Sequence, residues 1–365
     1  MKLFLTRNLR ESYKTQFFLS RHSKMNKKSL LKEVQKAYSN NQRLISPLMG
    51  FPGLPLVNST IKLAQQNYGE HYNVLTALIK MFKPDMIFPL MDLSVEANAL
   101  GLYTVFPQKD TATVLKEKIE LIDQILDKQI NISYDTRLQG YVETIKLLRI
   151  RFPETVMKGA YVTGPYSLVG LMIGAEELAM AVLMEPEKIE KLCEFAVGKI
   201  QEYIRLLIGA GAQTICVLEP TAVMLSPEDF EKYSSGYVKH INSSYKYSDV
   251  SVIYHTCGNT MHLIEKMEES GVDGLSLDSH EAGVDLPEVA KRLKNDTILI
   301  GNLNPTGTIL NGTPEKVQEE VTELLQSMDF YTNYILSTGC DLPQDVPVEN
   351  IQAFMDTGRQ YRIKK

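Results

Sequence analysis

Val250–Asn259 reads VSVIYHTCGN: a β-branched run, then His255 and Cys257, then a glycine and the opening of a helix. The run is short, apolar and bounded by a turn residue, which predicts a buried strand. Alternate residues of a strand project to one side, so the imidazole of His255 and the thiol of Cys257 are expected to face the same small volume. The same phrase recurs at Asn333–Pro343, NYILSTGCDLP, where an apolar strand again ends in glycine and cysteine.

Working outward from these two stretches, the chain repeats one pattern. Strands are expected at 44–50 (LISPLMG), 86–92 (MIFPLMD), 159–163, 213–218, 250–258 (VSVIYHTCG), 274–278, 297–301 and 333–339. Between them lie helical stretches: 68–82, 111–129, 133–151, 165–174, a long one opened by Pro186, one opened by Ser226-Pro227-Glu228-Asp229, and others near 267, 286–293 and 314. Proline at the first helical position and acidic residues in the first turn mark those starts. A helix over 29–38 precedes the first strand and another from Pro347 closes the chain. In 111–129, Val114, Leu115, Ile119, Ile122, Ile125 and Leu126 share one face at helical period. Connections long enough to be helical require parallel pairing, and eight such units in 365 residues predict a single (β/α)8 barrel (TIM barrel) with an N-terminal helical extension. No linker divides the chain, so residues 29–365 are expected to form the barrel domain and 1–28 a basic extension. That extension has no apolar run long enough for a secretory signal.

The composition excludes several classes. A net charge of −5 gives no footing for nucleic acid, and no segment offers the ~20 apolar residues of a membrane span. Four widely spaced cysteines do not make a disulfide framework. Thiolate ligands need a reducing compartment, and the cytoplasm is the default.

In a barrel the active site lies at the carboxyl ends of the strands. The polar residues expected there are Asp92, Glu219, His255, Cys257, Asp278, Asn302, Asn304 and Cys340. Taken singly, a strand-end histidine is a hydrogen-bonded loop residue and a cysteine is core, as Cys193 and Cys216 are expected to be. His255 and Cys257 at one strand end, joined by Cys340 from another, instead suit Zn²⁺ with three protein ligands and an open fourth position, the catalytic form of the site. Glu219 is a candidate fourth ligand, or a loop carboxylate bonded to backbone. Asp92 and Glu96 stand at i and i+4, either on one helical face or as a cap and a solvated charge. Asp278, Asn302 and Asn304 are expected to line the pocket, with a turn-forming role as the alternative for Asn304.

From about Pro47 onward the chain resembles the uroporphyrinogen decarboxylase superfamily, in FPLMDLSVEANALG (88–101), TGPYSLVGLMIG (163–174), GVDGLSLD (271–278), GNLNPTGTI (301–309) and STGCDLPQDVPVENIQAF (337–354). The resemblance implies the same barrel. It also implies that Asp92 is the counterpart of the aspartate that decarboxylases use at the pyrrole centre. Where decarboxylases carry arginines after the first strand, this chain reads PLMGFPGLP, and Cys340 stands at the place of their closing histidine. The H-x-C and distant Cys resemble the zinc methyltransferases of the superfamily. That likeness implies His255, Cys257 and Cys340 as zinc ligands, a corrinoid (methylcobalamin) carried by a partner protein, and a small thiol substrate such as coenzyme M. Two other readings follow from the same residues: a tetrapyrrole decarboxylase acting through Asp92, and a non-catalytic corrinoid- or tetrapyrrole-binding protein with a closed zinc site.

Overall fold

The structure, a computed structural model, describes residues 28–117, 125–126 and 130–364. Eight strands form one parallel sheet: β1 (Leu44–Ile45), β2 (Met86–Ile87), β3 (Met157–Thr163), β4 (Thr214–Leu218), β5 (Ser251–Thr256), β6 (Gly274–Leu277), β7 (Ile298–Leu303) and β8 (Tyr334–Thr338). Each of β2 to β8 pairs with its neighbour in sequence, and β1 returns to pair with β8, Leu44 opposite Ile335. This is the (β/α)8 barrel that the alternation predicts, with helices around it.

The first two strands are shorter than their apolar runs. Pro47 and Pro89 lie within those runs and lack the N–H that a ladder needs, so pairing stops at Ile45 and Ile87. The seam between β1 and β2 is therefore closed by one backbone bond and two side-chain bonds. Asp85 donates its N–H to the Ile45 carbonyl (3.0 Å) and accepts the Ile45 N–H on Oδ2 (2.7 Å), while Ser46 Oγ donates to the Met86 carbonyl (3.1 Å).

Inside the barrel Leu48, Phe88, Tyr161, Cys216, Leu218, Ile253, Ile300 and Ile335 form one buried cluster. A larger core lies between the strands and the helices, and Cys193 belongs to it. Both cysteines are core, as their apolar neighbours suggest.

One expected helix is corrected. Residues 111–117 are not helical; Thr113–Val114 instead pairs antiparallel with Thr104–Val105. The β-branched pairs favour the extended form, and Asp110 turns the chain by accepting the Thr111 N–H (2.7 Å). Of the rest of that expected helix, Ile125 and Leu126 are helical, while 118–124 and 127–129 fall outside the described residues, as does the extension 1–27. Among the described residues five further helices add to the expected set: Gly53–Leu56, Ile61–Gln66, Val95–Ala99, Ala175–Met184 and Thr308–Asn311. Among the described residues no single helix is long and apolar enough to cross a membrane.

Candidate metal centre

His255 is the penultimate residue of β5 and Cys257 lies one residue past the strand's end, while Cys340 lies two residues past β8. Their ligand atoms all lie within 4.8 Å of one another. His255 Nε2 is 3.1 Å from Cys257 Sγ, the two sulfurs are 3.3 Å apart, and Cys340 Sγ is 3.8 Å from Nε2. Residues 83 apart in sequence thus meet at one end of the barrel. The imidazole is buried and the two cysteines are half-buried.

Each member is fixed by its neighbours. His255 Nδ1 lies 3.0 Å from Ser276 Oγ, directly across the β5–β6 ladder, which leaves Nε2 facing the sulfurs. After Cys257 the chain turns at Gly258, whose φ of +87° suits a residue without Cβ, and the Gly258 N–H is held by Asp278 Oδ2 at 2.7 Å. Before Cys340, Gly339 passes so close to the neighbouring loop that a Cβ would stand 2.6 Å from Ser279 N. Cys257 beside it and burial both push the Cys340 thiol up. Among the described residues this trio is the group that can hold a metal ion.

The other expected residues are placed differently. Glu219 is not part of the trio. It is buried, and its two oxygens accept the Tyr166 and Ser167 N–H groups (3.0 and 2.8 Å) at the start of helix Pro165–Ile173. Burial pushes its carboxyl up to about 7. Asp92 is also enclosed: Oδ1 accepts from Ser94 N (3.0 Å) and Oγ (2.6 Å), and Oδ2 accepts from Arg137 and from the Tyr141 hydroxyl (2.7 Å). Asp278 acts through Gly258. Asn302 is buried and donates to the Asp278 and Val284 carbonyls (2.9 and 3.1 Å). Asn304 makes a turn, accepting the Thr306 N–H at 3.0 Å.

Several participants carry no signal in the linear sequence. Ser276 is one; Arg137 and Tyr141, which come from helix Thr136–Arg151, are others. Another is His71, whose Nε2 accepts the Leu90 N–H (3.0 Å) and which burial pushes down to about 3, keeping the ring neutral.

Glu96 does not share a solvent face with Asp92. It is buried against the end of β3, where Oε1 accepts the Thr163 N–H (2.8 Å) and Oε2 meets Thr163 Oγ1 (3.0 Å). Thr163 Oγ1 also lies 2.9 Å from the Leu93 carbonyl, and one hydroxyl proton cannot serve both. A protonated Glu96 resolves this by donating to Oγ1. Burial accordingly pushes its carboxyl from 4.5 up to about 7. Because the folded state holds this proton more tightly than the unfolded chain, its contribution is complete at low pH and is lost as pH rises from 4.5 through about 7. The loss amounts to about 3 kcal/mol. In Glu96→Gln the amide keeps both contacts without a titrating proton. Denaturant unfolding at pH 5 and pH 8 should therefore show the wild type losing about 2–3 kcal/mol more than the variant between the two. An equal loss in both proteins would rule this out.

Residues 60–361 match the family model of uroporphyrinogen decarboxylase (URO-D). Among curated proteins, the chain is 28% identical over 275 residues to the methylcobamide:CoM methyltransferase MtbA of Methanosarcina mazei, covering 74% of this chain and 78% of that one. It is 26% identical over 299 residues to a uroporphyrinogen decarboxylase of Prochlorococcus marinus, covering 79% and 83%. Among solved structures, a methyltransferase from Methanosarcina mazei superposes with a TM-score of 0.77 at 18% identity, over 90% of this chain and 98% of that one, which attests the shared barrel. A match that runs through seven of the eight strands, from before β2 to beyond β8, leaves no doubt of descent, and the chain belongs to the uroporphyrinogen decarboxylase family.

Proposed function

We propose that this protein is a zinc-dependent methyltransferase that moves a methyl group between a methylated corrinoid, carried by a partner protein, and a small thiol acceptor such as coenzyme M. The observation that carries this reading is the convergence of His255, Cys257 and Cys340 from two strand ends into one triangle.

The residues fit the metal. Zn–S bonds of about 2.3 Å and Zn–N bonds of about 2.0–2.1 Å in a tetrahedron require ligand separations of roughly 3.5–3.8 Å. The three separations here, 3.1, 3.3 and 3.8 Å, match that triangle to within about half an ångström. The donor set of one imidazole and two thiols suits zinc, and the partner of Nδ1 is the second support that metal-bound histidines usually have. When bound, zinc lowers the pKa of an incoming thiol so that it is presented as a thiolate at neutral pH.

The chain's own residues supply the rest. Ser276 orients the His255 ring, and Asp278 holds the turn after Cys257. Half-buried sulfurs at the strand ends give a substrate access from the barrel mouth. Glu219, tied to its helix, does not close a fourth position, which favours an open catalytic site over a structural one. Asp92 and Glu219 act as buried anchors for the loops after β2 and β3. The need for free thiols supports a cytoplasmic protein. We take 29–365 as one domain and 1–28 as an extension.

The test is metal analysis of protein purified with reduced thiols, combined with a methylcobalamin assay across several thiols. One zinc per chain and zinc-dependent methylation of a thiol are expected. Protein without stoichiometric zinc, or formation of coproporphyrinogen from uroporphyrinogen in its place, would overturn the reading.

A further inference from the structure

We infer that Asp341 is a positioning residue for Cys340, bracing that sulfur across the seam of the barrel. This inference rests on the proposed metal site. The seam is the weak place in the sheet, since β1 and β2 share no ladder among the described residues. Asp85 bridges its lower end through Ile45. At the mouth the bridge is Asp341, the residue after Cys340: Oδ1 accepts the Gly50 N–H (3.1 Å) from the loop after β1, and Oδ2 accepts the Met91 N–H (3.2 Å) from the loop after β2. The backbone beside Cys340 is tied on both sides as well. Gly339 N–H reaches the Leu303 carbonyl of β7 (2.7 Å), and Leu342 N–H reaches the Leu48 carbonyl (2.8 Å).

Cys340 therefore hangs between β7 and the seam, and the carboxylate sets how far the seam side lets it move. Two convergent N–H donors call for a group that only accepts; an amide turns one arm into a donor and repels one of the two loops. The arrangement parallels that of Cys257, where Asp278 grips the following N–H. Each sulfur thus has an aspartate holding the backbone at its side. Asp341 is not one of the three metal-holding residues, so its effect on the site passes through Cys340.

The test uses the full chain and zinc or cobalt(II) as probes. Zinc affinity is measured by chelator competition, and the thiolate-to-cobalt(II) charge-transfer band reports sulfur ligation. Asp341→Ala should weaken zinc binding by about 10–100-fold, as loss of an outer partner does at other metal sites, and should lower the charge-transfer intensity. Asp341→Asn, which keeps one arm and most of the packing, should shift both in the same direction by less. Gly50→Ala attacks the brace from the other side, because a Cβ there would stand 2.7 Å from Leu90 Cα, and should also weaken zinc. Asp85→Ala should lower the melting temperature while leaving the affinity and the cobalt spectrum unchanged. Wild-type affinity and spectrum in both Asp341 variants would overturn the inference, as would an equal loss in Asp85→Ala. A wild-type protein that binds neither metal would instead overturn the reading on which the inference rests.

Discussion

Cys340→Ala is expected to lower zinc affinity by two to three powers of ten and to remove thiol methylation while leaving the barrel folded. The magnitude follows from sharing a zinc-binding free energy of about 10–16 kcal/mol among four ligands, roughly 2.5–4 kcal/mol each. The fold survives because Cys340 is half-buried in a loop beyond β8, and a methyl group in place of a thiol leaves only a small gap. The strand register that brings His255 to Ser276 does not depend on it. Loss of this sulfur removes one negative charge from the site, so any residual metal binds a thiol less electron-rich than before and transfer falls further than affinity. Metal content by mass spectrometry, circular dichroism and the methylcobalamin assay check the three parts. The variant also separates the readings of the family: a decarboxylase has no use for this thiol, so unchanged zinc content together with unchanged activity would sink the methyltransferase.

The barrel was legible because its grammar is local. Each strand is a short apolar run ending in polar or glycine residues, and the intervening stretches show helical period or clear caps; these signals survive in a single sequence. The trio was legible for the same reason: strand alternation alone puts His255 and Cys257 together, and a second strand with the same ending supplies Cys340. The missed features depend on contacts between distant segments. Nothing near Arg137 in the sequence says that its guanidinium reaches a carboxylate 45 residues earlier. Ser276 becomes visible only once the β5–β6 register is known. Residues 111–117 depart from the expected helix because a few apolar positions fit a helix and a twisted hairpin equally well, and pairing with 104–105 decides between them. Asp92 and Glu219 show a further limit. A carboxylate at a strand end looks the same in sequence whether it faces a substrate or bonds inward.

Arg137→Met should cost about 3–5 kcal/mol of stability, a large effect for one surface-sized side chain, because it breaks a buried ion pair from one side. The Arg137 side chain is 8% exposed and that of Asp92 1%, so neither charge has water to fall back on. Without the guanidinium, the Asp92 carboxylate keeps only Ser94 and the Tyr141 hydroxyl. Asp92→Asn leaves the reverse problem, although the cation retains the Gln65 carbonyl (3.4 Å) and the face of Phe106, 4.7 Å from the ring centre. The double variant removes both charges and should be more stable than the sum of the two losses predicts, with a coupling of about 1–3 kcal/mol. Thermal unfolding of the four proteins measures this cycle. Activity measured alongside gives Asp92 its role. If the carboxylate serves by holding the loop after β2 through Arg137, the rate per folded molecule in Asp92→Asn should fall only modestly, and the loss should track stability. A hundredfold fall in rate with an unchanged melting temperature would instead make Asp92 a group that meets the substrate, and would return the decarboxylase-like chemistry to contention.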